Sequence, residues 1–157
     1  MKLHHLGYAV RDIEKSKVVF EKLGYIACGD VTADISRNVN ILFMTGPDST
    51  PVDTNTNSNF NAVIAADAKC SGLIELIATL DYSQPSPVKG LLKKQACVLY
   101  HPCYECEDIE KTLSVLTQTG FYLLHDIAPA PAIAADAVVA FLYNPDVGII
   151  EILQLTH

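Results

Sequence analysis

Two stretches of the chain read alike without a gap, and this internal repeat limits the possible folds more than any other feature. From Leu3–Tyr25 to Leu99–Phe121, nine of twenty-three positions are identical at a constant offset of 96 residues. The shared positions include His5/His101, Tyr8/Tyr104, Asp12/Asp108 and Gly24/Gly120. A repeat of this length is one supersecondary unit used twice, so the chain is built from two related modules. Each unit carries a histidine at the same place. Two equivalent histidines in a pseudo-symmetric pair are what a metal site shared by two halves requires.

Each unit opens with a strand and continues into a helix. In Leu3–Val10 the residues Leu3, His5, Gly7 and Ala9 share one face, and His4, Leu6, Tyr8 and Val10 the other. Asp12 then precedes an amphipathic stretch with Ile13, Val18/Val19 and Phe20 at helical spacing, closed by Gly24. The second unit repeats this, with Asp108 ahead of the helix, Ile109, Val115 and Leu116 on its inner side and Gly120 at its end. Short strands are expected within 26–32 and 121–127, and longer ones at Val39–Met44, Leu73–Ile77, Val138–Tyr143 and Gly148–Leu153. The pattern is strand-helix-strand-strand-strand, twice. The closing strands match at an offset of 76 (Ile74-Glu75-Leu76 against Ile150-Glu151-Ile152), so the first half carries about twenty extra residues within 45–72, read as a loop. The predicted organisation is a first module at 1–82 with that insertion, a linker at 83–97 and a second module at 98–157. Residues 127–136 are read as an irregular loop.

Half of the residues are hydrophobic and 18% are charged, the composition of an ordered globular chain. The net charge of −7, with only Arg11 and Arg37 as arginines, disfavours nucleic acid, whose phosphates need a basic surface. No apolar run is long enough to span a bilayer, and Met1 leads straight into the first repeat without room for a signal peptide. A cytoplasmic protein is the expectation. Five cysteines without a secretory signal are expected to be reduced and mostly buried. Cys103 and Cys106 lie on a strand where residues three apart face opposite sides, which argues against a redox or zinc pair.

Four residues stand out once the repeat is drawn: His5 and Glu75 in the first unit, His101 and Glu151 in the second. Each glutamate lies in a run such as Leu-Ile-Glu-Leu-Ile or Ile-Ile-Glu-Ile-Leu, where burial is costly unless the carboxylate is paired or bound to a cation. Nitrogen and oxygen donors without thiolate point to one divalent ion such as Co, Ni, Mn or Zn. His4, facing the other way toward the helix, is read as structural. His125 and His157 have no partner in the repeat. Glu105 shares the face of His101 and is a candidate acid–base group, although its counterpart in the first unit is Ala9.

On these residues the chain resembles the vicinal oxygen chelate superfamily, which includes glyoxalase I, methylmalonyl-CoA epimerase, extradiol dioxygenases and bleomycin-resistance proteins. His5-Leu-Gly-Tyr-Ala-Val10 followed by Asp12-Ile resembles the opening strand of the epimerases. Ser86-Pro87 ahead of Leu91-Leu-Lys-Lys and Tyr100-His101 resembles their linker and second histidine. Phe141-Leu-Tyr-Asn-Pro-Asp-Val-Gly148 before Ile150-Glu151 resembles their closing hairpin. The resemblance implies an α+β fold in which two βαβββ modules form a cupped mixed sheet around one divalent metal. Its four ligand positions fall on His5, Glu75, His101 and Glu151, a set closer to glyoxalase I, since the epimerases often have glutamine where Glu75 stands. The epimerases' further glutamate base would correspond to Asp34.

The implied activity is isomerisation or epimerisation by proton transfer α to a carbonyl, on a small molecule with vicinal oxygens such as an acyl thioester. Glu151 would be both ligand and base, with Asp34 or Glu105 as the second acid–base group. The alternatives are a glyoxalase I-type lactoylglutathione lyase and a non-catalytic ligand binder of the bleomycin-resistance type. Family analogy allows a homodimer. No organic cofactor is implied.

Overall fold

The repeat becomes two copies of one topology. The computed structural model describes residues 1–49 and 72–155, so most of the inserted segment expected at 45–72 lies outside the described residues. The described residues hold two α-helices and ten strands of mixed sheet, the α+β class expected. In the first repeat come β1 (Lys2–Val10), α1 (Ile13–Lys22), β2 (Ile26–Ala27), β3 (Thr32–Asp34), β4 (Val39–Thr45) and β5 (Ile74–Thr79). In the second come β6 (Cys97–Glu105), α2 (Ile109–Gln118), β7 (Tyr122–Leu123), β8 (Ala128–Pro129), β9 (Val138–Asn144) and β10 (Gly148–Gln154).

The two helices begin and end in the same way because the same residues occupy their ends. Asp12 is extended and accepts a hydrogen bond from the Lys15 backbone N–H at 3.0 Å, and Asp108 does the same with Lys111 at 2.9 Å. Each satisfies one of the N–H groups that a helix start leaves without an intrahelical acceptor. At the other end Gly24 and Gly120 have φ of +91° and +90°. The Tyr25 N–H reaches back to the Phe20 carbonyl at 3.1 Å, and the Phe121 N–H to the Leu116 carbonyl at 3.2 Å. A left-handed residue followed by this long backward bond is the Schellman stop, which glycine adopts at least cost.

Contacts divide the chain into two compact units, Leu6–Tyr100 and Met1–His5 together with His101 onward. In the first, β1 runs parallel to β5, with Gly7 opposite Glu75 and Ala9 opposite Ile77. On its other side β5 pairs antiparallel with β4, which also carries β2 and β3. In the second unit β6 runs parallel to β10, with Cys103 opposite Glu151, and β10 pairs antiparallel with β9, which carries β7 and β8. Position by position, the second arrangement repeats the first.

Each helix covers one face of its own strands. Ile74, Leu76 and Ala78 of β5 pack with Val10, Ile13, Leu42 and Met44, while Ile150 and Ile152 of β10 pack with Ile109, Leu113 and Leu142. Strand alternation therefore turns Glu75 and Glu151 to the face away from the helix, and both are buried there too.

Several expectations are corrected at this level. Val18, Val19 and Val115 are exposed, and Leu113 is the inward residue of α2. From Ile109, positions four and seven further on share a face, which selects Leu113 and Leu116 and turns Val115 outward. Part of 127–136 is ordered as β8, with Ala130 and Ile133 buried beyond it. The expected linker contains a 3-10 turn at Leu91–Lys93 and buries Val88 and Leu92. It is held by Arg11, whose Nε and Nη2 donate to the Leu92 carbonyl at 2.9 and 2.6 Å. Among the four described cysteines only Cys103 is buried.

The glycine stops yield a direct comparison. A Cβ at Gly24 would lie 2.9 Å from Cβ of Pro47, whereas one at Gly29, also left-handed at φ +97°, would meet nothing within 4 Å. Gly29→Ala is expected to cost about 1 kcal/mol for the backbone conformation alone, and Gly24→Ala about 1–2 kcal/mol more. Urea unfolding of the two variants checks this, and equal losses would show that Pro47 yields freely.

Candidate metal centre

Three buried side chains from three strands meet on one carboxylate oxygen. β1 brings His5, β6 brings His101 and β10 brings Glu151, with side-chain exposures of 0%, 1% and 6%. The Nε2 atoms of His5 and His101 lie 3.3 and 3.2 Å from the same atom, Oε2 of Glu151. The two rings sit 5.7 Å apart at 73°, and Phe141 meets the His101 ring edge-to-face at 5.2 Å. Phe141 is directly opposite Glu151 on β9, so the hairpin register places the aromatic ring.

Burial pushes the Glu151 carboxyl toward the neutral form, but hydrogen bonding and charge from His101 and His5 hold it well below the usual carboxylate range. The Oε2 atom is nevertheless buried without a well-aligned hydrogen bond. Two imidazole nitrogens and a carboxylate oxygen, all within 4.8 Å of one another, form a His/Glu cluster of the kind that holds a divalent ion. Their chemistry fits Co, Ni, Mn or Zn: neutral imidazole and carboxylate suit these ions, and two separate strands fix the rings.

The sequence also singles out Glu75, Glu105 and Asp34. Glu75 is buried at 6% exposure on β5 of its own unit, opposite Gly7 of β1 and Phe43 of β4. Gly7 shares a strand face with His5, and Phe43 stands to Glu75 as Phe141 stands to Glu151. Glu105 is half-buried at the end of β6, on the face of His101 and Cys103 and opposite Leu153.

Asp34 is engaged in a local cluster. It accepts from the Ser36 hydroxyl at 2.6 Å, the Arg37 backbone N–H at 3.1 Å and Arg37 Nη1 at 2.5 Å. Burial pushes its carboxyl up, but Ser36 and Arg37 outweigh this and hold it below its ordinary value. These contacts tie the Asp34 carboxylate to its own loop through Ser36 and Arg37.

His4 corrects its expectation. Strand alternation turns it away from His5, yet its ring bends back so that the two Nδ1 atoms lie 2.8 Å apart, with ring centroids at 5.1 Å. No sequence signal marks this, because it depends on a side-chain torsion and not on strand periodicity.

A family model described as the glyoxalase/bleomycin resistance protein/dioxygenase superfamily matches residues 4–141. Among curated proteins none matches the sequence significantly. Among solved structures, methylmalonyl-CoA epimerase from Mycobacterium tuberculosis superposes with a TM-score of 0.71 at 18% identity, over 99% of this chain and 89% of that one. A hypothetical protein from Bacillus halodurans C-125 gives 0.71 at 20% identity, over 99% and 95%. A Streptomyces coelicolor methylmalonyl-CoA epimerase in complex with 2-nitronate-propionyl-CoA gives 0.70 at 12% identity, over 100% and 99%. At these identities the likeness is one of fold. Among the described residues no helix is long and apolar enough to cross a membrane.

The Asp34 cluster sets a pH dependence. A carboxyl whose folded pKa is depressed stabilises the fold above its unfolded value of about 3.9, and that stabilisation is lost as pH falls through the folded value. Asp34→Asn is expected to cost about 1–3 kcal/mol at pH 7, with the gap to wild type closing below about pH 4. Urea unfolding at both pH values checks this, and a gap independent of pH would mean that the charge contributes nothing.

Proposed function

Because the chain belongs to the glyoxalase/bleomycin resistance protein/dioxygenase superfamily, we propose that it is a divalent-metal-dependent isomerase or epimerase that moves a proton α to a carbonyl. His5, Glu75, His101 and Glu151 are its proposed ligands. The observation that carries this reading is the buried Glu151 carboxylate with two imidazole Nε2 atoms turned toward one of its oxygens. Glu75 joins the set through the repeat: it occupies on β5 the place of Glu151 on β10, and it faces Gly7 on the same strand face as His5. These four residues would hold the ion, and a substrate with two neighbouring oxygens is the class such an ion would serve.

When bound, such an ion supplies positive charge for the oxygen of an enolate-like transition state and so makes the α-proton more acidic. The chain's own residues do the rest. His5 and His101 are fixed on separate strands and hold their ring nitrogens in place, so little reorganisation is needed on binding. Glu151, with its second carboxylate oxygen, accepts the α-proton. Glu105 lies along the His101 face at the strand end and is the proposed partner that returns a proton from the other side. Phe141 shields the His101 ring from water.

The substrate class is proposed by analogy with the structural neighbours, which include methylmalonyl-CoA epimerases in complex with 2-nitronate-propionyl-CoA and with methylmalonyl-CoA. An acyl thioester with an acidic α-carbon is therefore the first candidate.

Metal analysis of untagged protein and α-proton exchange in deuterated buffer test the reading together. The expected result is a single transition-metal ion per chain, with exchange into an acyl-CoA that Glu151→Gln abolishes. In Glu151→Gln and His101→Ala, metal affinity should fall by more than about 100-fold, beyond what changes around a ligand usually cost. Metal binding with turnover of a thiol hemithioacetal instead would reassign the reaction to a glyoxalase-type lyase. Protein that takes up none of Co, Ni, Mn or Zn would overturn the metal-dependent mechanism and favour a ligand-binding role.

A further inference from the structure

We infer that His4 is a positioning residue for His5, holding it in the one tautomer that offers Nε2 to a cation. The inference rests on the metal-centre reading above and adds to it a residue that the four-ligand set does not contain. The 2.8 Å separation of the two Nδ1 atoms is a hydrogen bond between imidazoles. One ring must donate and the other accept, and the two directions are not equivalent for the site.

If His5 accepted at Nδ1, a neutral ring would carry its proton on Nε2, facing Glu151 and unable to ligate. If His5 donates from Nδ1, its Nε2, 3.3 Å from Glu151 Oε2, keeps a lone pair to offer to a cation. His4 then accepts at Nδ1 and carries its own proton on Nε2. Metal-bound histidines commonly give their second N–H to a carboxylate or carbonyl, which sets ring orientation and raises ligand basicity. Here a neighbouring imidazole takes that place.

The geometry favours such a role over simple packing. His4 is half-buried and its ring meets His5 edge-on at 75°, so the contact is made through the nitrogen edge and not by stacking. The partner it holds is fully buried, and a buried ring cannot exchange this bond for one to bulk water. Cys103 on β6 has its Sγ within 4.8 Å of a ring nitrogen of each histidine. His101 has no histidine before it: Tyr100 occupies that position, so the device belongs to one half of the repeat.

Two variants separate hydrogen bonding from packing. His4→Phe keeps a ring and removes the acceptor, while His4→Asn keeps an acceptor close to the Nδ1 position. Titration with Co(II), followed by its visible absorption, reads affinity and ligand geometry without any assay of turnover. His4→Phe is expected to lose about 10–100-fold in Co(II) affinity and to alter the spectrum, with His4→Asn returning toward wild type in both. A His4→Phe protein with wild-type affinity and spectrum would overturn the inference, as would a His4→Asn protein no better than His4→Phe. Failure of the wild-type protein to bind Co(II) would overturn the metal-centre reading itself and this inference with it.

Discussion

A carboxylate is held inside the second unit by two imidazoles, and the surrounding architecture is arranged to make that arrangement tolerable. Removing an ionised carboxylate from water costs several kcal/mol even after relaxation, and a few apolar neighbours return none of it. Glu151 meets this cost with two ring nitrogens at 3.2 and 3.3 Å on one oxygen. Both rings come from strands, whose alternation and register turn the buried side chains to one face. Phe141 packs against one ring and His4 is hydrogen-bonded to the other, so each histidine is oriented by a second contact.

Duplication explains how a short chain assembles such a site. Each copy of the repeat carries one histidine and one glutamate at matched strand positions. The division of the chain adds a detail: Met1–His5 belongs with the second half, while β1 from Leu6 onward pairs with β5 of the first. His5 thus falls in the unit that holds His101 and Glu151, and Gly7 pairs with Glu75 in the other. The chain's opening residues are structural members of its C-terminal half.

What the sequence disclosed, it disclosed through repetition and periodicity. The matched Asp12/Asp108 and Gly24/Gly120 marked both helices because caps depend on local chemistry, and the capping bonds recur almost atom for atom. His5, His101 and Glu151 were legible because the same residue type recurred at matched strand positions. Features set by non-local packing were not. Val115 looked inward on apolar character, but its angle around α2 turns it to solvent. The role of Asp34 depends on Ser36 and Arg37 folding over it, and that of Arg11 on the distant Leu92 carbonyl. The bend of His4 onto His5 is a matter of side-chain torsion, which no pattern of residue types encodes.

X-ray absorption at the metal edge of protein loaded with zinc or cobalt tests the central claim most directly, because it reports the ligands themselves. The account predicts a shell of nitrogen and oxygen donors only, with the outer scattering of two imidazoles. A sulfur scatterer at about 2.3 Å would contradict it, placing the ion instead on Cys103 beside His4 and His5, the other cluster of potential ligands among the described residues.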